Sequence, residues 1–189
     1  MIYGDRIRFR AVEREDLPTF VKWINDPEVR HGLGIYLPLS MADEEDWFDG
    51  VRNHPPDERN LVIEIRQPVE QSGQPAQAPV EAAWQMIGGC GFFKLDSRNR
   101  CAEFGIMIGD KSCWNQGYGT EAVRLLVQHG FNTLNLNRIY LRVLENNPRA
   151  IRAYEKAGFT HEGRQRQAEY KDGRYLDLLV MSVLKHDHA

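Results

Sequence analysis

A glycine-bearing turn at residues 117–122 is the part of the sequence best suited to holding an anion. It reads Gly-Tyr-Gly-Thr-Glu-Ala and leads from the apolar segment 104–108, through a short loop, into a helical pattern. The first turn of a helix leaves backbone N–H groups unpaired and carries the positive end of the dipole, and glycine lets a phosphate approach the backbone closely. The turn therefore predicts a phosphate site, although a plain tight turn has the same pattern.

The same residues also fit a dinucleotide-binding fingerprint of the form Gly-x-Gly-x-x-Ala, with Glu145 downstream for a ribose. Such a fold needs several strand–helix–strand repeats after its fingerprint. Here only one further strand–helix pair and a final hairpin follow. A Walker A loop is excluded because the turn has no Gly-Lys-Ser/Thr.

A second constellation lies at residues 143–159, where a strand pattern ends and a helix begins. The Asn147-Pro148 pair is typical of a helix N-terminus, with the asparagine as N-cap. Helical spacing places four residues on one face: Asn147, Ala150, Ile151 and Tyr154.

Together the two segments resemble the Gcn5-related N-acetyltransferase (GNAT) superfamily. Trp-x-x-Gly-Tyr-Gly-Thr-Glu-Ala and Asn-x-x-Ala-x-x-x-Tyr-Glu-Lys-x-Gly-Phe are similar to motifs of the group that includes ribosomal-protein N-terminal acetyltransferases, spermidine acetyltransferases and some antibiotic acetyltransferases. One position departs from the superfamily pattern. Three residues before the first glycine, where Gln or Arg is usual, the chain has Trp114.

The resemblance implies an α/β (α+β) fold in which helices flank a mixed, mainly antiparallel sheet. Two splayed parallel strands would form the acetyl-CoA cleft. The backbone at 107–108 would pair with the pantetheine arm, residues 116–120 would hold the pyrophosphate, and Tyr154 would lie at the sulfur. The implied cofactor-binding residues are Met107, Ile108, Gln116, Gly117, Tyr118, Gly119, Thr120, Asn147, Ala150 and Tyr154. Two plainer alternatives are that Asn147 only caps its helix and that Tyr154 is a core aromatic.

Glu103 interrupts the apolar strand 101–108, where a carboxylate is costly unless it faces a wet cleft or a partner. Similar acetyltransferases often carry their general base at this point, so the resemblance implies Glu103 as base and Tyr154 as acid. The alternative is an edge carboxylate paired with Arg100 or Lys94. No histidine partners a cysteine in the sequence pattern, so we expect direct transfer without an acyl-enzyme.

The predicted function is acetyl-CoA-dependent N-acetylation of a primary amine. The acceptor is either a small molecule, such as a polyamine or aminoglycoside, or a protein N-terminus. Tyr36, Trp47 and Tyr170 are candidate walls of its site. Two other classes stay open at this point: an acyl-CoA-binding module without catalysis, and a nicotinamide-dependent oxidoreductase.

Length and charge narrow the class of protein. A chain of 189 residues has room for about one domain, here residues 1–189. Its 24 Lys and Arg against 27 Asp and Glu give a net charge of −3, which argues against direct binding of nucleic acid.

Three cysteines without a Cys-x-x-Cys pair predict free thiols and a cytoplasmic protein, and no apolar run suggests a membrane span. The six histidines lack ligand spacing, so no metal is predicted, and a homodimer is left open.

Periodicity and turn signals supply the elements that must position these residues. Strand patterns cover 6–11, 61–65, 86–93, 101–108, 139–143 and 174–184, and helical patterns cover about 17–24, 40–52, 123–131 and 147–158. The acidic run 43–46 is most simply the first turn of a helix, although it would also attract a cationic substrate. The Gln- and Pro-rich stretch 67–83 predicts a long flexible hairpin loop.

Overall fold

The computed structural model describes residues 1–67 and 83–188. The predicted flexible loop at 67–83 therefore lies outside the described residues except at its two ends. These ends are joined by a backbone hydrogen bond of 2.8 Å, which Gln67 donates to the carbonyl of Ala83.

The described residues form one eight-stranded sheet and five α-helices. The strands are β1 (Ile2–Tyr3), β2 (Ile7–Ala11), β3 (Leu61–Arg66), β4 (Trp84–Asp96), β5 (Cys101–Ile108), β6 (Arg138–Leu144), β7 (Thr160–Lys171) and β8 (Arg174–Leu184). The helices are α1 (Leu17–Asn25), α2 (Pro27–His31), α3 (Met41–Val51), α4 (Tyr118–Asn132) and α5 (Pro148–Lys156).

The sheet has the order β1-β2-β3-β4-β5-β6-β8-β7, and its neighbours are antiparallel except for β5 and β6. This confirms the prediction of a mainly antiparallel sheet that contains one parallel pair. The parallel pairing covers only residues 101–103 of β5 against 138–140 of β6. Beyond it, β5 stays paired with β4 as far as Ile108, and β6 stays paired with β8 as far as Leu144. The two strands therefore diverge after Glu103 and leave an open fork.

Helix α4 supplies much of the core that holds the fork in place. Its apolar face buries Val123, Leu126, Val127 and Phe131 among residues of the sheet and of α5. At its start, Arg6 from the loop before β2 pairs with Glu121 at 2.7 Å and ties the helix to the first strands. No described helix is both long and apolar enough to cross a bilayer.

Helices α1 and α3 pack together, and α1 covers two glycines of the sheet region. A side chain at Gly89 would meet the ring of Phe20 at 3.0 Å, and one at Gly109 would overlap the indole of Trp23. The start of α3 has the predicted capping box: Ser40 Oγ accepts from the Asp43 N–H at 3.1 Å, and Asp43 accepts from the Ser40 N–H at 2.9 Å.

Three elements were not predicted from periodicity: the two-residue strand β1, helix α2 and strand β7. Helix α2 has only five residues, and its cap is Asp26, which accepts from the N–H groups of Glu28 and Val29. Strand β7 is exposed on both faces along nearly its whole length, so its sequence has no apolar alternation. It is a strand because β8 pairs with it.

The register of β4 and β5 depends on a close approach at Gly88. A Cβ there would lie 2.0 Å from the carbonyl oxygen of Met107, which as backbone cannot move aside. We expect Gly88→Ala to cost about 3 kcal/mol or more, at the upper end of what overpacking costs. The control is Gly163→Ala, because a Cβ at that position of β7 meets nothing within 4 Å. Urea denaturation of both variants measures the difference, and equal midpoints would contradict the inferred crowding.

Candidate active site

The fork between β5 and β6 opens into a cavity of about 860 Å³, toward the upper end of small-molecule sites. Most of the predicted site residues line it: Glu103, Met107, Ile108, Gly117, Gly119, Thr120, Asn147, Ala150 and Tyr154. Gln116 and Tyr118 are not part of the wall. The Gln116 amide donates to the Ser112 carbonyl at 2.5 Å, and the Tyr118 ring lies under the Arg6 guanidinium at 4.6 Å.

The glycine turn presents the start of α4 to the cavity. Gly117 is the N-cap residue with φ of 86°, a left-handed conformation that favours glycine. The first intrahelical bond is donated by Glu121 to the Gly117 carbonyl at 3.0 Å, so the N–H groups of residues 118–120 have no acceptor inside the helix. In residues 83–188 only β6, α5 and the β7–β8 hairpin follow the turn, which is too few units for a dinucleotide fold.

Trp114, the departure from the superfamily pattern, has two contacts beside this turn. Its indole N–H donates to the Ile108 carbonyl at 2.7 Å, and its ring carries the guanidinium of Arg149 at 3.4 Å from the ring centroid. A cation therefore lies beside the turn although position 114 is not itself basic, because α5 supplies it.

Helix α5 lines the cavity with three basic residues that the sequence analysis did not select. Arg149, Arg152 and Lys156 follow the spacing i, i+3 and i+7, and all three belong to the cavity wall. Helical periodicity could have identified this basic face. Together with the free N–H groups of α4 it gives one side of the cavity a positive potential that suits a phosphate-bearing ligand.

Asn147 and Tyr154 lie on the cavity face of α5. Asn147 Oδ1 accepts from the Ala150 N–H at 3.2 Å, as an N-cap does, while its amide nitrogen has no hydrogen bond among the described residues. The Tyr154 ring packs edge-on against Phe104 at 5.8 Å, and burial raises the pKa of Tyr154 to about 12. Its hydroxyl has no partner in residues 1–67 and 83–188. The phenol is thus protonated at neutral pH and free to donate into the cavity.

Glu103 lies at the vertex of the fork, in the last residue pair that β5 makes with β6. Its side chain is only 4% exposed and makes two ion pairs, from Lys94 to Oε2 at 2.8 Å and from Arg142 to Oε1 at 2.7 Å. Burial acts to raise the pKa of this carboxyl, but the two ion pairs outweigh it and hold the pKa below its ordinary value. The sequence offered Lys94 and Arg100 as possible partners of Glu103. In the structure Lys94 pairs with Glu103, whereas Arg100 donates to Asn135 instead.

The cavity is also lined by side chains from elements other than α4 and α5. These include Trp47 as expected, and also Glu44, Asn60, Glu169 and Arg142. Tyr36 and Tyr170 do not belong to the cavity wall, since they are 75% and 61% exposed on the surface. Apart from Arg142, which is paired with Glu103, the charged and polar members of this set are acidic or amide groups, in contrast to the basic face of α5.

The cysteines stay as thiols. Cys90 and Cys113 line the cavity, no histidine does so among the described residues, and burial raises the pKa of both thiols. A thiol with a raised pKa is a poor nucleophile, which agrees with transfer that does not pass through an acyl-cysteine. The described residues contain no cluster of His, Cys, Asp or Glu that would hold a metal ion.

Comparison with known proteins identifies the family. Residues 6–160 match the acetyltransferase (GNAT) domain. The uncharacterized N-acetyltransferase p20 of Bacillus licheniformis is 30% identical over 190 residues, covering 100% of this chain and 98% of its own. YdaF of Bacillus subtilis, provisionally named a ribosomal N-acetyltransferase, is 33% identical and covers 97% of this chain and 94% of its own.

A similar solved structure is that of spermidine N-acetyltransferase from Vibrio cholerae in complex with CoA and spermine. It has a TM-score of 0.81 and 26% identity, and the alignment covers 98% of this chain and 99% of that chain. Because the domain match spans most of the sequence and p20 aligns over the whole of it, the chain belongs to the GNAT acetyltransferase family.

Proposed function

We propose that this chain transfers the acetyl group of acetyl-CoA directly to a primary amine of a small polycationic molecule. N-acetyl transfer and acetyl-CoA as the cosubstrate follow from membership of the GNAT family. The acceptor class is the new part of the proposal. The observation that carries it is that one cavity is lined by a basic wall on α4 and α5 and by an acidic wall, formed by Glu44 of α3 and Glu169 of β7.

The basic wall fits a CoA molecule. The free N–H groups of residues 118–120 and the side chains of Arg149, Arg152 and Lys156 would bind its phosphates. The edge of β5 that turns away from β4 has no strand partner at 104–108. The Met107 carbonyl lies against Gly88 of β4 and the Ile108 carbonyl accepts from the Trp114 indole, so the Ile108 N–H is the group of this pair that would bind the pantetheine arm. Asn147 would donate to the same arm through its free amide nitrogen.

Glu103 is our candidate for receiving the proton of the amine. A primary amine with a pKa of about 10 is almost wholly protonated at neutral pH and must lose a proton before its nitrogen can attack. The Lys94 side chain is 59% exposed, so its pair with Glu103 is of the weak surface kind that a substrate ammonium can replace. In this proposal the ammonium takes the place of Lys94 at Oε2, while Arg142 continues to hold Oε1.

Tyr154 is our candidate for the acid. Its hydroxyl lines the cavity, has no partner among the described residues, and keeps its proton at neutral pH. It would donate that proton to the departing thiolate. A backbone N–H of the segment 106–109 would stabilise the oxyanion formed by attack on the thioester carbonyl.

Further observations support the proposed polycationic acceptor and a cytoplasmic location. The acidic wall complements a polycation better than it complements a neutral peptide chain, and the relative from Vibrio cholerae is a spermidine acetyltransferase. Free thiols at Cys90, Cys101 and Cys113 fit a reducing cytoplasm.

A panel of acceptors with acetyl-CoA and thiol detection tests the function. We expect the largest kcat/KM for polyamines, lower values for aminoglycosides, and the lowest for peptides with a free N-terminus. A peptide acceptor that is turned over better than every polyamine would contradict the proposed acceptor class. Absence of thiol release with all amines would contradict catalysis itself.

The cofactor site predicts that Gly119→Val weakens binding of CoA by about 10-fold or more, because a branched side chain blocks the approach of a phosphate to the helix start. The fold should survive, since a Cβ at Gly119 meets only Ile108 Cγ1 at 3.7 Å. Gly50→Val is the control, because a Cβ at this helical glycine meets nothing within 4 Å and the residue is not part of the cavity wall. Calorimetry with CoA measures both, and equal affinities would remove the turn from the phosphate site.

The free hydroxyl of Tyr154 predicts that Tyr154→Phe lowers kcat by about 10²-fold to 10⁴-fold, the range typical of general acid–base catalysis. The ring contacts with Phe104 are kept, so CoA affinity and Tm should change little. Steady-state kinetics and calorimetry on the same preparation check this. Parental turnover by the phenylalanine variant would exclude Tyr154 as the acid.

The pH profile of Glu103→Gln tests the role of that carboxylate. If it receives the amine proton, the defect should be largest near pH 7 and shrink toward pH 10, where about half of the amine in solution is deprotonated. Lys94→Met is the matched control. It removes the exposed partner and leaves the carboxylate, so its profile should follow the parent's. A defect of Glu103→Gln that is constant with pH would indicate a structural role instead, in which the ion pair of Glu103 with Arg142 holds β5 and β6 at the vertex of the fork.

A further inference from the structure

Glu44 on α3 is a buried carboxylate without a partner. The residue is 5% exposed, and its side chain makes no hydrogen bond or ion pair with the residues described. The other buried acidic residues of the described chain are all paired: Asp16 with Arg10 at 2.6 Å, Glu64 with Arg8 at 2.6 Å, and Glu103 with Lys94 and Arg142. Glu44 is therefore the exception among them.

The start of the helix does not account for Glu44. The capping box of α3 is made by Ser40 and Asp43, while Glu45 and Asp46 are exposed as a solvated acidic turn would be. Burial of a carboxyl without compensation is unfavourable, and it raises the pKa of Glu44 above its ordinary value. Such a residue weakens the fold, which is typical of groups kept for binding.

The side chain of Glu44 belongs to the wall of the active-site cavity, together with two neighbours of suitable chemistry. Trp47 follows it by three residues on α3, so the indole and the carboxylate lie on the same side of the helix. Asn60, just before β3, also lines the cavity, and its side-chain amide has no hydrogen bond within the described part of the chain. A carboxylate, an aromatic ring and an amide oxygen are the groups that bind an alkylammonium ion.

These groups come from other elements than the residues proposed for the chemistry. Tyr154 and Glu103 belong to α5 and β5, whereas Glu44 and Trp47 belong to α3, which packs on α1. Glu44 therefore supplies the cavity with a second carboxylate besides Glu103.

We propose that Glu44, with Trp47 and Asn60, binds a second ammonium group of the acceptor and so selects diamines and polyamines over monoamines. The inference rests on the proposed function, because it assigns a specificity site within the same cavity. It also assigns the acidic run of α3 two roles, with Asp43 capping the helix and Glu44 binding the substrate.

The test compares diaminobutane with butylamine, which has the same carbon chain and one amine. We expect Glu44→Gln to lower the preference for diaminobutane, as the ratio of the two kcat/KM values, by about 10-fold to 100-fold, the loss of one charge-assisted contact. Tm should stay the same or rise, because an unpaired buried carboxyl has been replaced by a neutral amide. Glu45→Gln is the control, since it removes the same charge one residue further along the same helix from an exposed position.

Several results would contradict binding of a second ammonium group by Glu44. A ratio unchanged in Glu44→Gln, or lowered equally in Glu45→Gln, would overturn it, the second result pointing to general attraction by the acidic run. A lower Tm together with loss of both amine activities would make Glu44 structural and also overturn it. Calorimetry of diaminobutane with the CoA-bound protein measures the same contrast without turnover. A chain that acetylates amines but shows no Glu44 effect refutes only this inference, whereas a chain that acetylates none refutes the proposed function.

Discussion

The divergence of two parallel strands is the constraint on which the site depends. β5 and β6 pair only through residues 101–103 and 138–140, and each then follows its antiparallel neighbour. Backbone groups between them lose their ladder partners, and buried backbone groups without partners are costly unless a ligand or water satisfies them. The fold accepts this cost because α4 and α5 close the cavity and supply the groups that a ligand would contact.

The cavity is lined by groups of both charges. The start of α4 and the basic face of α5 supply the positive ones, and Glu44 and Glu169 supply carboxylates from other elements, as the proposed pair of an anionic cosubstrate and a cationic acceptor would require. At the vertex of the fork, the Glu103 carboxylate is paired with both Arg142 and Lys94. In a cavity of low dielectric such charged groups orient both ligands more strongly than they would in water.

Long-range contacts keep the binding groups in place. Arg6 joins the loop before β2 to the start of α4 through Glu121 and the Gln116 carbonyl, and so holds the glycine turn with its N–H groups facing the cavity. Lys171 at the end of β7 donates to the carbonyls of Arg30 and Leu33 and ties the β7–β8 hairpin to the loop after α2, which lines the cavity. The glycine turn and this loop are therefore positioned by contacts from distant segments.

The local features of this protein could be predicted from short stretches of sequence. The glycine turn, the Asn147 cap, the capping box of α3 and the apolar face of α4 are all encoded in neighbouring residues, because they depend on backbone conformation and helical period. The partners of each side chain could not be predicted in this way, because they come from segments that meet only in the folded chain. The ion pair of Glu103 with Arg142 joins residues 39 apart in the chain. The Arg149 guanidinium that lies on the Trp114 ring comes from α5, and β7 is a strand only because β8 pairs with it. The burial of Glu44 without a partner likewise depends on how α3 packs, since its neighbours in sequence give it the pattern of an ordinary solvated acid.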